Sequence, residues 1–166
     1  VQPVMVSVQD PTKAAEELAR IIPESIKTMR KTDPDLANSV FLITGSTSVF
    51  KEIATINKHA GRIPVVSMIP EIVQAGPDTA LLAVGISFES NGQLAAIYGA
   101  DILNGRAKAG DLKVGLVLPP DIAISFMKAR QIGVKIPFHF FEGASYVYDV
   151  NGEPVRAPAQ TVAAKD

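Results

Sequence analysis

Residues Thr79–Asp111 read TALLAVGISFESNGQLAAIYGADILNGRAKAGD. The apolar run Leu81–Ile86 passes through Ser87-Phe88-Glu89-Ser90 and gives way to Leu94, Ile97, Tyr98, Ile102 and Leu103 at helical spacing. That is the pattern of a strand, a polar turn and a helix. Asn104-Gly105 closes the helix, and the basic, glycine-marked loop Arg106–Gly110 leads into a further apolar segment, Leu112–Leu118. One such unit fits many α/β folds, and what discriminates among them is how the flanking sequence repeats it.

Upstream, the unit recurs. Ile63-Pro64-Val65-Val66-Ser67-Met68 predicts a strand, followed by a loop or short helix over Ile69–Gly76. Before it, Val40-Phe41-Leu42-Ile43 is a short continuous apolar run of the kind that fills a strand covered on both faces. Thr44-Gly45-Ser46-Thr47-Ser48 ends that strand, and a helix then carries Val49, Ile53 and Ile56 on its apolar face as far as Gly61. At the N-terminus, Val4–Val8 predicts another strand, and Asp10-Pro11 supplies a helix cap and first helical residue. The helix behind it places Ala14, Leu18, Ile21, Ile22, Ile26 and Met29 on one face, with Pro23 expected to kink or split it. Strands alternating with helices at this spacing predict an α/β fold with an open, mainly parallel sheet flanked by helices.

Downstream the character changes. Pro119-Pro120-Asp121 interrupts two extended segments, and Ile122, Ile124 and Phe126 alternate with Ala123 and Ser125 as in a half-buried strand. A short helix over Lys128–Ile132 ends at Gly133, Pro137–Phe141 forms an apolar knot, and Tyr146–Val155 reads as a hairpin around Asn151-Gly152. Residues 156–166, rich in Ala and Pro, carry too little apolar surface to fold and read as a flexible tail.

Composition narrows the classes of function. With 166 residues and 47% hydrophobic residues the chain can bury one core, so one domain or lobe is expected, over residues 1–155. A net charge of −1 with scattered basic residues lacks the footprint of a nucleic-acid binder. The absence of cysteine removes disulfides and thiolate chemistry. The opening VQPVMVSVQD, strand-like and without Met, reads as a mature or internal fragment.

In open parallel sheets, ligands bind beyond the carboxyl ends of strands, where loops enter helices. Three such junctions occur: Gly45–Ser48, Met68–Glu71 and Ser87–Ser90. At the first, Ser46 and Thr47 offer hydroxyls beside free backbone N–H groups, a seat for a carboxylate or phosphate, unless Ser46 simply caps the helix. At the second, Glu71 either binds a ligand amine or favours the positive start of a short helix. At the third, Phe88 is a stacking platform or a core residue, and Glu89 reads as a solvated first-turn acid. No nucleophile, base and orienter can be assembled. His59 ends a helix, His139 lies in the aromatic knot, Asp111 and Asp121 flank turns, and the G-x-S-x-G and H-E-x-x-H patterns are missing. An enzyme is not expected, and no cofactor or metal is implied.

The run IPVVSM, the unit LLAVGISFESNGQLAAIYGADILNG, the loop RAKAGD and the segment LPPDIAISFMKARQIGVKIP, in this order, resemble the C-terminal half of ABC-transporter solute-binding proteins of the tryptophan-binding type. The resemblance covers about Val4 to Val155. It implies one lobe of a bilobal, type I periplasmic-binding-protein-like receptor, exported to the periplasm or held as a lipoprotein. Such a receptor closes on a small solute, in the best-known members an aromatic amino acid, and delivers it to an ABC permease. The same resemblance puts ligand contacts on Ser46, Thr47, Met68, Glu71, Ser87 and Phe88, and makes residues 79–111 the inter-lobe crossover. Gly45-Ser46-Thr47 stands where members commonly carry Thr-Asp-Asn-like residues, and Met68-Ile69-Pro70 where a more polar loop is usual. Family members are roughly twice this length, so an N-terminal lobe is the missing partner. Without it, a displaced helix or a homodimer is expected at the lobe-facing surface. The alternative function on the same fold is effector sensing in a transcriptional regulator or membrane sensor.

Overall fold

The computed structural model describes residues 3–156. Among the described residues six strands form one sheet in chain order: β1 (Phe41–Ile43), β2 (Val65–Ser67), β3 (Leu82–Gly85), β4 (Asp121–Ser125), β5 (Tyr146–Tyr148) and β6 (Pro154–Arg156). β1, β2 and β3 are parallel, β4 runs antiparallel to β3, β5 is parallel to β4, and β6 returns antiparallel as a hairpin. Three of the five pairings are therefore parallel, and the open, mainly parallel sheet expected from the sequence is present. The helices are α1 (Ala14–Met29), α2 (Thr47–Phe50), α3 (Ile53–Ala60), α4 (Phe88–Leu103), α5 (Phe126–Ile132) and α6 (Phe138–Glu142). Among the described residues no helix is long and apolar enough to cross a membrane.

α1 starts where the sequence places it. The Asp10 carboxylate accepts the Thr12 N–H at 2.9 Å through a single 3-10 turn begun by Pro11, and Glu17 reaches back to the N–H groups of Gln9 and Asp10 at 2.7 and 3.0 Å. These contacts satisfy donors that the first helical turn cannot bond internally. Pro23 does not split the helix. Ser25 two positions later returns its hydroxyl to the Ile21 carbonyl at 2.8 Å. The buried face of α1 includes Ala14, Leu18 and Ile22, and it meets Ile53, Ile56 and Ala60 of α3 over Ile43, Val65 and Ala83 of the sheet. A second cluster, Ile124, Ala144 and Val147 with Ile136, Phe140 and Phe141 against it, holds the C-terminal part of the sheet.

Several expectations are corrected. Val4–Val8 forms no strand among the described residues. The helix expected from Ser48 to Gly61 is two pieces, α2 and α3, because the chain turns at Lys51-Glu52. Ala123 and Ser125 are as buried as Ile124, so β4 is covered on both faces rather than half-buried; it lies inside the sheet between β3 and β5. Leu112–Leu118 forms no strand. Arg156, placed in a loose tail, ends β6. Its guanidinium donates to the carbonyls of Phe141 and Ala144 at 3.1 and 2.9 Å and lies 5.0 Å from the Phe141 ring centre. Composition could not foresee those contacts, since they depend on backbone carbonyls brought from α6 and its C-terminal turn. The rest of the expected tail, residues 157–166, lies outside the described residues.

The hairpin turn is longer than an Asn-Gly pair. It spans Asp149–Glu153, and the Asp149 carboxylate accepts the N–H groups of Asn151 and Glu153 at 2.7 and 3.0 Å. Gly152 takes the positive φ of 86° that this turn requires.

Candidate functional site at one edge of the sheet

Parallel pairing puts the carboxyl ends of β1, β2 and β3 on the same edge, and the antiparallel β4 brings its amino end there too, Gly85 opposite Asp121. β5, parallel to β4, adds Tyr146 at its start, level with Ala123. All six sequence-predicted residues follow or flank these ends, as does Asp121.

The third junction is the most developed. Ser87 caps α4 with its hydroxyl, which accepts the Ser90 N–H at 3.1 Å and donates to the Ser90 hydroxyl at 2.9 Å. The Ser87 N–H and the Ser90 hydroxyl donate to Asp121 Oδ2 at 3.2 and 3.3 Å. The next amide, Phe88 N–H, donates to Glu71 Oε1 at 2.6 Å. Glu71 thus favours the start of a helix, as one reading of the sequence held. That helix is α4, 17 positions away, rather than the short turn Pro70–Ile72 in which Glu71 sits. The junctions at Met68–Glu71 and Ser87–Ser90 are thereby tied into one surface. Ser87 itself is buried, whereas the Phe88 ring is 64% exposed and so available for stacking, not part of the core.

Electrostatics follow from this wiring. Burial pushes the Asp121 carboxyl up, but hydrogen bonds from the Ser87 side chain and backbone, from Ser145 and from Ser90 together outweigh it, leaving the group below the ordinary carboxylate value. A depressed folded-state pKa stabilises the fold at every pH above the unfolded value, and that contribution disappears as pH falls through the folded one. Melting curves of Asp121→Asn and the parent are therefore expected to lie furthest apart near neutrality and to converge on acidification below about pH 4. A gap that widens in acid would contradict the assignment. Burial also raises the Tyr146 phenol. A hydrogen bond with Ser87 opposes the shift, while the negative charges of Asp121, Glu71 and Glu89 reinforce it.

The first junction is different. Ser46 and Thr47 are exposed, and Ser46 makes no cap bond to the short α2; its hydroxyl pairs with that of Ser48 at 2.7 Å. Ser46 has φ 80°, a left-handed conformation that is costly for a serine. Both readings made from the sequence are modified: Ser46 does not cap, and the four-residue α2 is too short to present a helix N-terminal seat. Met68 at the second junction is 49% exposed. Sequence reasoning set Asp121 aside as a turn residue, named Ser90 only as the end of the third junction, and gave Tyr146 only as part of a hairpin. Asp121 carried one usable signal, a carboxylate directly after Pro119-Pro120 at the start of an apolar strand, but its pairing with Ser87 across 34 positions exists only in the folded sheet.

α4 and the segment after it project from this edge with little covering them. No residue of α4 is buried. Tyr98 donates its hydroxyl to the Lys113 carbonyl at 3.1 Å, which holds the following segment along the helix. Ile97, Leu103, Val114, Leu116 and Leu118 remain exposed on this unit. His59 lies half-buried in the last turn of α3, and the exposed His139 packs on Phe140 with ring centres 4.6 Å apart.

No protein-family model and no curated protein matches the sequence. Two solved structures share the fold. One is a conserved domain protein from Vibrio cholerae O1 biovar El Tor, 20% identical with a TM-score of 0.59, aligned over 87% of this chain and 44% of its own. The other is a substrate-binding protein with adhesive properties from Clostridium difficile, in a ligand-free, open form. It is 19% identical with a TM-score of 0.55, aligned over 88% of this chain and 43% of its own. The chain spans less than half the length of either protein, and its α/β fold is similar to a portion of each.

Proposed function

We propose that this chain is the C-terminal lobe of a two-lobe solute-binding receptor of the tryptophan-binding type, which captures a small solute, an amino acid in the first instance, for an ABC permease outside the cytoplasmic membrane. The observation that supports the reading is that the three loops after β1, β2 and β3 lie along one edge of the sheet. Phe88 is exposed there as a platform, and Ser87, Glu71 and Asp121 fix the backbone beneath it. Ligand pockets combine apolar and aromatic walls with a few placed polar groups, and they form preferentially between domains. The exposed apolar unit of α4 and residues 112–118 supports the same reading: residues 79–111 would pass to the other lobe, which would cover Ile97, Leu103, Val114 and Leu116. The likeness to less than half of a substrate-binding protein fits a lobe rather than a whole receptor.

The test is calorimetric titration of an amino-acid panel against the protein carrying both lobes and against the 166-residue chain. Binding is expected only with both lobes, and micromolar binding to the single chain would overturn the assignment. In the two-lobe protein, Phe88→Ala should weaken the bound solute about tenfold, ~1.4 kcal/mol. Folding stability should change by no more than about 0.5 kcal/mol, as usual for an exposed side chain. Unchanged affinity would remove Phe88 from the site.

A further inference from the structure

Among the described residues Lys128 is the one charged side chain that is buried, 7% exposed. It lies on the buried face of α5 with Ala129 and Ile132, which cluster with Leu81. Its main-chain N–H donates to the Ser125 hydroxyl at 3.1 Å, but its ammonium has neither a hydrogen-bond acceptor nor an ion-pair partner among the described residues. Every fully buried side-chain nitrogen or oxygen there does have a hydrogen-bond partner, so the unpaired Nζ keeps contact with solvent while its stem is enclosed. Lysine is almost never buried without a partner, and an ammonium held that way is relieved when the amine gives up its proton. Burial accordingly pulls the Lys128 pKa below the ordinary lysine value, with the charge of Asp78 opposing it. The position is remote from the three junctions. β4 runs away from their edge, from Asp121 to Ser125, and Ser125 donates its N–H at the far end to the Leu81 carbonyl, just ahead of β3.

We propose that Lys128 is a nucleophilic amine that captures small, neutral carbonyl compounds, aldehydes or ketones, as an imine. A lysine desolvated by apolar surroundings is the form of the residue that makes Schiff bases with carbonyl compounds. The free amine attacks the carbonyl carbon, a C–N bond forms, and the carbonyl oxygen takes up a proton to give the carbinolamine. That oxygen then leaves as water, and the nitrogen loses its remaining proton to solvent as C=N forms, so no oxidant or reductant is needed. The surroundings select the class of compound. With the stem enclosed, only the tip is open to attack, which limits the size of the partner. The charge that acts on the amine is the carboxylate of Asp78, which disfavours an anionic partner. An imine is uncharged where the protonated amine is not, so capture removes a charge that this site solvates poorly. Ser125, three residues earlier, does not compete as nucleophile, because its hydroxyl is fully buried and caps α5. The site stands apart from the proposed solute cleft, and its test involves no solute.

Reductive trapping on the full chain tests this. The protein is exposed near neutral pH to limiting acetaldehyde with cyanoborohydride, which reduces an imine to a stable N-ethyl amine, and each lysine is read by peptide mass mapping. Lys128 is expected to be trapped at least about tenfold faster than the exposed Lys27 and Lys108, the advantage that one unit of pKa confers in free amine. In urea sufficient to unfold the chain the advantage should vanish, since it comes from burial and not from neighbouring residues in sequence. Lys128→Arg keeps the charge and the stem but not the nucleophile, and it should remove the fast site and leave labelling of the other lysines unchanged. Trapping at Lys128 no faster than at Lys27 and Lys108 in the folded chain overturns the proposal. So does a preference that persists in urea, or a fast site that remains in Lys128→Arg.

Discussion

Gly85→Ala is expected to be the most damaging single methyl group in this protein. A Cβ built on Gly85 would lie 1.8 Å from the Met68 carbonyl oxygen and 2.8 Å from its carbonyl carbon, and both belong to the backbone of the neighbouring strand end. Neither can rotate aside, so the sheet edge itself must open. Overpacking a well-filled site costs about 1–3 kcal/mol, occasionally more, and a backbone clash of this depth belongs at or beyond the upper end. At roughly 2–4 °C per kcal/mol for a chain of this size, a melting temperature lowered by at least about 6–12 °C follows. Circular dichroism melting of the variant checks it, and a fall of less than about 2 °C would show that β2 and β3 do not approach as described. The position also matters to the site. Gly85 stands opposite Asp121 and two residues before Ser87, and displacing Met68 moves the loop that carries Glu71 toward Phe88. In the two-lobe protein, solute affinity should fall together with stability.

Ile124→Ala is the second large effect. Ile124 is fully buried at the middle of the sheet, opposite Leu82 on β3 and Val147 on β5. It forms a cluster with Ala144 and Val147, and Ile136, Phe140 and Phe141 pack against it. Truncation leaves a cavity within a cluster of aliphatic and aromatic side chains, for which about 2–5 kcal/mol is expected; Ile124→Val should cost about 0.5–1.5 kcal/mol. Urea unfolding of both variants gives the comparison. Equal losses, or a loss below 1 kcal/mol for the alanine, would mean that the C-terminal cluster is not a true core. The site again shares the consequence, because β4 carries Asp121 at its start and β5 carries Tyr146.

These two residues illustrate how differently sequence and structure inform. Ile124 was legible as a core residue from alternation alone, but the burial of Ala123 and Ser125 beside it was not, because alternation describes a strand with one wet face. β4 is covered on both faces, and small residues there record the closeness of packing rather than contact with water. Gly85 carried no local signal at all, since its φ is ordinary and its need for a hydrogen in place of a side chain arises from Met68, 17 positions away. The same holds for Glu71 and Asp121. Each carboxylate reads locally as a turn or first-turn acid, and each in fact serves the start of α4 from a different strand end. Arg156 shows the converse error: a segment judged by composition as unable to fold begins with a residue that β5 and α6 hold in place.

From sequence alone came the alternation of strands and helices, the cap of α1, the strand-turn-helix of residues 79–111 and the positions of the three candidate junctions. All are properties of periodicity and of residue types within a few positions of one another, which is the range over which propensity, capping and hydrophobic spacing act. Tertiary structure alone decided that β4 reverses direction beside β3 and so brings Asp121 to the edge where β1, β2 and β3 end. It also decided that Glu71 and Phe88 share a hydrogen bond and that Phe88 faces outward. Those features are pairings between groups far apart in the chain, fixed by strand order and register, and no local pattern of residues encodes them.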